Sequence, residues 1–188
     1  DIGSDGWLFT HPELFDRRAP GNTCLSALSQ FKPYGTLASN DSKGCGGVMR
    51  VAPVGIFWFA QFHGNDLCEG AAKAFETGCA TAALTHGHPT GSLAAGALAE
   101  IIFWQMSGLV LRDCLERCLE TLRRTPNHAE TLESINAAMR LAASGIDSAR
   151  AIKELGEGWI AEEALAIGVF CTLRGDTFKE AVLTAVNH

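Results

Sequence analysis

The chain has 188 residues, 47% of them hydrophobic and 19% charged, with a mean hydropathy of +0.09, a net charge of −6 and a pI of about 5.5. That length suits one domain or a large piece of one, and the composition excludes a disordered chain. Lys and Arg are scattered, so no basic stripe follows a nucleic-acid backbone, although an acidic protein still binds phosphorylated small molecules through backbone N–H groups. No apolar run reaches about 18 residues and no basic start leads into an apolar core, so neither a membrane span nor a signal peptide is expected.

Residues 1–21 carry Gly3, Gly6, Pro12, Pro20 and Gly21 and read as irregular. Trp7-Leu8-Phe9 and Leu14-Phe15 are candidate pins to the core. Asn22 or Thr23 is placed to cap a short helix ending near Gln30. A long loop follows over 31–47, punctuated by Pro33, Gly35, Gly44, Gly46 and Gly47. Val48 to Phe62 is strongly apolar and predicts a buried helix with Pro53 in an early turn or at a kink.

Further helices are predicted over 66–85 and 89–107, the second with Pro89 in its first turn. Its Gly91, Ala94, Ala95, Gly96 and Ala99 permit close helix–helix approach. Over 111–124, Leu111, Cys114, Leu115, Cys118, Leu119 and Leu122 form one stripe. Helices from Asn127 or His128 to about Gly145, then over 147–155, 160–173 and 177–186, complete the pattern. Sustained period-two alternation is missing, so the expected class is an all-α irregular multi-helix bundle, 1–188 forming one domain.

Seven cysteines, Cys24, Cys45, Cys68, Cys79, Cys114, Cys118 and Cys171, have irregular spacing. Cys114 and Cys118 lie one helical turn apart and make no Cys-x-x-Cys knuckle. Most are expected to be small buried residues in a reducing, cytoplasmic compartment.

Three segments carry chemical interest. Asn40 to Arg50 sets three glycines and small polar residues before an apolar helix, an arrangement in which backbone N–H groups approach an anion such as a pyrophosphate. A tight helix–helix loop has the same composition, and the order matches neither a P-loop nor a Rossmann turn. Leu84 to Gly91 breaks two helices, and His86 there is either a phosphate or ribose donor at a pocket mouth or a core histidine. A zinc site on His86 and His88 is disfavoured, because a corner splays them and no further ligand lies at suitable spacing. Gly156 to Glu163 is a second corner, where Trp159 either stacks on a base or packs in the core. Glu162 and Glu163 are adjacent, hence divergent on a helix, and make a poor acid/base pair. Neither a Ser–His–Asp arrangement nor a Gly-x-Ser-x-Gly elbow emerges.

In their order, Arg17-Arg18-Ala19-Pro20-Gly21-Asn22-Thr23, Ser42 to Pro53, Leu84-Thr85-His86 and Gly158 to Leu165 resemble the ADP-ribosylglycohydrolase family. The string Ser42-Lys43-Gly44-Cys45-Gly46-Gly47-Val48-Met49-Arg50 is the most specific. The resemblance implies an all-α fold whose cleft holds two divalent cations, magnesium or manganese, and hydrolysis of a glycosidic bond between ADP-ribose and a modified acceptor such as a protein arginine. It implies that Ser42, Lys43, Gly44, Cys45, Gly46 and Gly47 line the diphosphate and distal ribose. His86 then approaches from the next corner, and Trp159 lies against adenine.

Two departures qualify the likeness. Cys45 stands where many relatives have Asn, so an amide contact is replaced by a weak thiol donor. The family's Thr-Asp-Asp-Thr and Asp-x-Asp segments, which bind the metals, do not occur between Asp1 and His188. The expectation is therefore a fragment that is inactive alone, with catalytic residues and metal ligands outside it. The alternative is a metal-free ADP-ribose-binding or immunity-type module without hydrolase activity. ADP-ribose or an ADP-ribosylated protein is the expected partner; nucleic acid and membrane are not.

Overall fold

The computed structural model describes residues 10–14, 20–30, 37–62 and 66–187. The aromatics Trp7, Phe9 and Phe15, the Arg17-Arg18 pair, Pro33 and Gly35 lie outside those residues. A 3₁₀ turn, Pro12–Leu14, precedes ten α-helices among the described residues: α1 Asn22–Ser29, α2 Gly46–Arg50, α3 Ala52–Phe62, α4 Leu67–Ala83, α5 Pro89–Met106, α6 Leu111–Arg123, α7 Ala129–Ala143, α8 Ser148–Leu155, α9 Ala161–Arg174 and α10 Phe178–Val186. No strand forms there; a single antiparallel bridge joins Gly44 and Ile160. The fold is all-α, as the 3.6-residue patterning requires.

Local chemistry sets the helix ends. Asp66 caps α4 by accepting from the N–H of Cys68 (2.9 Å) and Glu69 (3.2 Å). His88 caps α5 and Pro89 takes its first turn, where the missing N–H costs nothing. Thr177 and Glu180 form a capping box at α10.

Helix α5 is the central element. Its small and apolar residues run around the whole axis, and it touches α2, α3, α4, α6, α7 and α9. Contact with α4 is close because both helices carry glycine where they cross. An added Cβ at Gly78 would sit 2.9 Å from Gly96 Cα, and one at Gly96 would run into Cys79 Sγ. The predicted stripe of α6 is buried at Cys114, Leu115, Cys118, Leu119 and Leu122, with Leu111 half-buried. Phe103, Phe170, Leu115, Leu122, Ile135 and Ile152 fill the interior.

Two expectations need correction. The apolar run 48–62 is two helices, not one, and its second part is not buried. Pro53 has no N–H, and its ring blocks the carbonyl four residues back, so α2 ends at Arg50 and α3 starts at Ala52. Within α3 only Gly55 is buried, while Ile56 and Phe57 are 48% and 55% exposed. One side of α3 packs on α4 and α5; the sequence is apolar on every side, so hydrophobicity alone overstated its burial. The cysteines are all free thiols, but only Cys114, Cys118 and Cys171 are buried; Cys24, Cys45 and Cys79 are half-buried and Cys68 is exposed.

Candidate functional site

The loop 37–45 is sewn to the corner between α4 and α5. Asn40 makes the stitch: its Oδ1 accepts from the N–H of Ser42 (3.0 Å) and of Gly87 (3.0 Å), and its Nδ2 donates to the Thr85 carbonyl (3.0 Å). The His88 N–H donates to Ser42 O (3.3 Å). Gly87 has to be glycine, because an added Cβ would collide with the Asn40 carbonyl.

The other edge of the loop is sewn to the corner between α8 and α9. Cys45 N–H donates to Trp159 O (3.0 Å), and Ala161 N–H donates to Lys43 O (2.8 Å), flanking the Gly44–Ile160 bridge. Segments 45 or more residues apart in sequence thus meet at one loop, and the residues proposed from sequence converge.

Their individual environments differ. Ser42 Oγ lies 3.1 Å from Thr23 Oγ1 and accepts from Gly44 N–H (3.3 Å). Gly47 is buried, and an added Cβ would stand 2.7 Å from Ala82 Cβ, so it seats α2 on α4. Gly44 is under no such constraint; a Cβ there meets only ordinary contacts at 3.5 Å. Cys45 Sγ lies 3.8 Å from Met49 Sδ.

His86 is 2% exposed and lies directly against the loop, where an added Cβ on Gly46 would come within 3.0 Å of its Cε1. Arg50, which only donates, bonds Thr85 Oγ1 (2.6 Å), the Thr81 carbonyl (2.8 Å) and the Gly46 carbonyl (3.1 Å). Thr85 Oγ1 accepts from Arg50 and lies 2.8 Å from His86 Nδ1 and 3.4 Å from the Ala82 carbonyl, so arginine, threonine and histidine form one buried chain of hydrogen bonds. Burial, and then the Arg50 charge, hold the imidazole below its ordinary pKa, so it is neutral at pH 7.

Lys43 donates to Glu162 Oε1 on α9 (2.5 Å) and Glu130 Oε2 on α7 (3.0 Å). Glu130 Oε2 also accepts from Thr90 Oγ1 (2.5 Å). The Glu162 hydrogen bond raises the Lys43 pKa, against a smaller opposing effect of burial. Bonds from Thr90 and then Lys43 lower that of Glu130. Glu162 is 7% exposed and its Oε2 has no partner among the described residues. Sequence reasoning singled out neither Glu130, which belongs to no motif, nor Thr90, which lies in the Leu84–Gly91 segment.

Trp159 is 76% exposed, so the core-packing alternative is excluded. Its corner is held by Glu163, whose Oε2 accepts from the N–H of Glu157 and Gly158 (both 3.1 Å). Gly156 (φ 121°) and Gly158 (φ 76°) supply the left-handed turns, and a Cβ on Gly156 would collide with Glu163. Glu162 and Glu163 do diverge, one towards Lys43 and one into this turn.

The family model described as ADP-ribosylglycohydrolase matches residues 4–188. The chain belongs to that family. No curated protein and no solved structure matches it. The all-helical architecture agrees with the ADP-ribosylglycohydrolase fold, and the family assigns the chain to enzymes that cleave ADP-ribosyl bonds. The family's metals find no holder here: no group of three His, Cys, Asp or Glu among the described residues is placed to bind a metal ion. Glu130 and Glu162, beside the loop, are engaged by Lys43, and Glu130 also by Thr90. No described helix is long and apolar enough to cross a membrane.

Proposed function

We propose that this ADP-ribosylglycohydrolase chain holds ADP-ribose for hydrolysis of its glycosidic bond to a modified acceptor, such as a protein arginine. One observation carries this reading: the glycine loop is held to the corner that carries the exposed Trp159, by the main-chain Cys45–Trp159 and Ala161–Lys43 hydrogen bonds. An aromatic face beside a glycine-lined backbone suits a base followed by a diphosphate.

In this reading Ser42, Lys43, Gly44, Cys45, Gly46 and Gly47 line the diphosphate and distal ribose, and Trp159 lies on adenine. Gly44 has no packing need for glycine, so its missing side chain serves close approach by a ligand. His86 and Lys43 act as positioning residues: the buried imidazole supports the loop backbone, and the engaged ammonium ties the loop to α7 and α9. Two divalent cations, magnesium or manganese, are the cofactors that the family likeness implies for hydrolysis. Since no described cluster fits them, no catalytic step is assigned to these residues. ADP-ribosylated protein is the proposed partner and a reducing cytoplasm the proposed location, in keeping with seven free thiols.

A second reading, a metal-free ADP-ribose-binding or immunity-type module, is favoured by the lack of a metal-binding cluster among the described residues. Calorimetry of the chain with ADP-ribose, with and without EDTA, alongside hydrolysis of ADP-ribosyl-arginine in magnesium, tests both. Saturable binding that Gly44→Ala weakens without loss of thermal stability supports the site. Absence of binding at about 1 mM ligand overturns it. Turnover favours the first reading; binding indifferent to EDTA without turnover favours the second.

A further inference from the structure

Glu100 sits on α5 ten residues beyond Thr90, about 15 Å along the helix from the loop. It is 3% exposed. Its Oε1 accepts from Trp104 Nε1 (3.2 Å) and Thr121 Oγ1 (2.9 Å), and its Oε2 is buried with no partner among the described residues. Leaving a buried carboxylate oxygen unbonded is costly, and burial raises the Glu100 pKa to about 7. Nothing in the ADP-ribose site uses this residue.

Glu100 forms part of the wall of a cavity of about 230 Å³ between α4, α5 and α6. Arg117 and Glu120 of α6 and Arg124 at its C-cap complete the charged lining, while Ala71, Ala72 and the Trp104 ring supply apolar surface. The Arg117 guanidinium lies 4.5 Å from the Trp104 ring centroid. Stacked in that way, it keeps its N–H edges for an acceptor. Neither Arg117 nor Arg124 has a carboxylate within ion-pair distance among the described residues.

We propose that this cavity is a second ligand site, built for a zwitterion of amino-acid size. Its ammonium bonds Glu100 and Glu120, and its carboxylate bonds Arg117 and Arg124. The choice of ligand follows from charge and volume. Two arginines and two glutamates line the cavity, so a lone anion meets both carboxylates and a lone cation both guanidinium groups. Only a molecule carrying both charges satisfies the two pairs at once. Some 230 Å³ lies below the range of nucleotide-sized pockets, which excludes a second ADP-ribose. Trp104 and the two alanines suit a short aliphatic side chain.

The test is a nitrogen–proton NMR titration of the whole chain, following the Trp104 indole N–H, assigned by its loss in Trp104→Phe. The common L-α-amino acids are the probes; acetate and methylammonium are the single-charge controls. At least one amino acid is expected to shift the signal saturably, with half-saturation below about 1 mM. Glu100→Gln, which keeps the side-chain shape, and Arg124→Gln, at the exposed end of α6, should each weaken that binding about tenfold or more. Their remaining spectra show whether the fold is intact. No saturable shift from any amino acid up to about 20 mM overturns the proposal. So does an equal response to acetate or methylammonium alone, and so does displacement of the amino acid by ADP-ribose.

Discussion

Lys43 Nζ stands 2.5 Å from Glu162 Oε1 and 3.0 Å from Glu130 Oε2, so one side chain of the glycine loop bridges α9 and α7. Glu162 is nearly buried, and Lys43 is the one cation within bonding distance of it among the described residues. Lys43→Met removes that partner and strands a carboxylate whose second oxygen already lacks one. The expected loss is about 1–3 kcal/mol of stability, with at least tenfold weaker ADP-ribose binding, because the loop loses its anchor. Thermal denaturation and calorimetry measure the two. Glu162→Gln should cost less than Lys43→Met, and the double variant less than the sum of the singles; additive losses would show that the pair is not coupled.

Glu100 makes stability depend on pH. Its folded pKa is raised from 4.5 to about 7, so the folded state holds the proton more tightly than the unfolded chain does. The sign follows from linkage: stability is greatest below the unfolded value, falls as pH rises from 4.5 towards about 7, and is flat above. The charges bearing on it are Arg117, which lowers the value, and its neighbours Cys79 and Cys118, which are themselves held protonated. Glu100→Gln should therefore stabilise the chain at pH 8 by on the order of 3 kcal/mol relative to its effect at pH 4. Urea midpoints of both proteins at the two pH values give the difference, and parallel curves would refute the assignment.

Two glycines give opposite outcomes for the same substitution. Gly96→Ala forces a methyl group into Cys79 Sγ and towards the Phe75 carbonyl at the α4–α5 crossing. It should cost about 1–3 kcal/mol, since two packed helix backbones have to separate. Gly168→Ala on α9 meets nothing within 4 Å and should stabilise by about 0.5–1 kcal/mol, through helix propensity alone. Chemical denaturation of the pair ranks them; a harmless Gly96→Ala would mean the crossing is looser than its contacts indicate.

Periodicity made the helices legible from 67 to 186, because each spans two turns or more and several start at a polar cap, as with Asp66, Asp147 and Thr177. It failed over 48–62, where an apolar run carries no information about which side meets a neighbour. Loop, His86 and Trp159 were legible as separate segments. Their assembly was not, for it depends on main-chain bonds between Cys45 and Trp159 and on the Asn40 clamp, and neither leaves a side-chain pattern. Glu130 escaped notice for a related reason: on an amphipathic helix an acidic residue reads as solvated surface until Lys43 and Thr90 are seen beside it.

Trp159 offers the sharpest separation of folding from binding. Its ring is 76% exposed, while its backbone carbonyl holds the loop through Cys45. Substitution by alanine keeps the carbonyl and removes only the ring. Stability should change by less than about 0.5 kcal/mol, as for other exposed positions. ADP-ribose affinity should fall roughly tenfold to a hundredfold, the amount a base–aromatic stack contributes. Trp159→Phe should recover much of the loss, since it keeps an aromatic face. Titrating ribose 5-phosphate, which carries no base, against Trp159→Ala and the unsubstituted chain completes the test. Equal affinities are expected there, and a comparable loss with the base-free ligand would place the ring on the sugar or phosphate instead of the adenine.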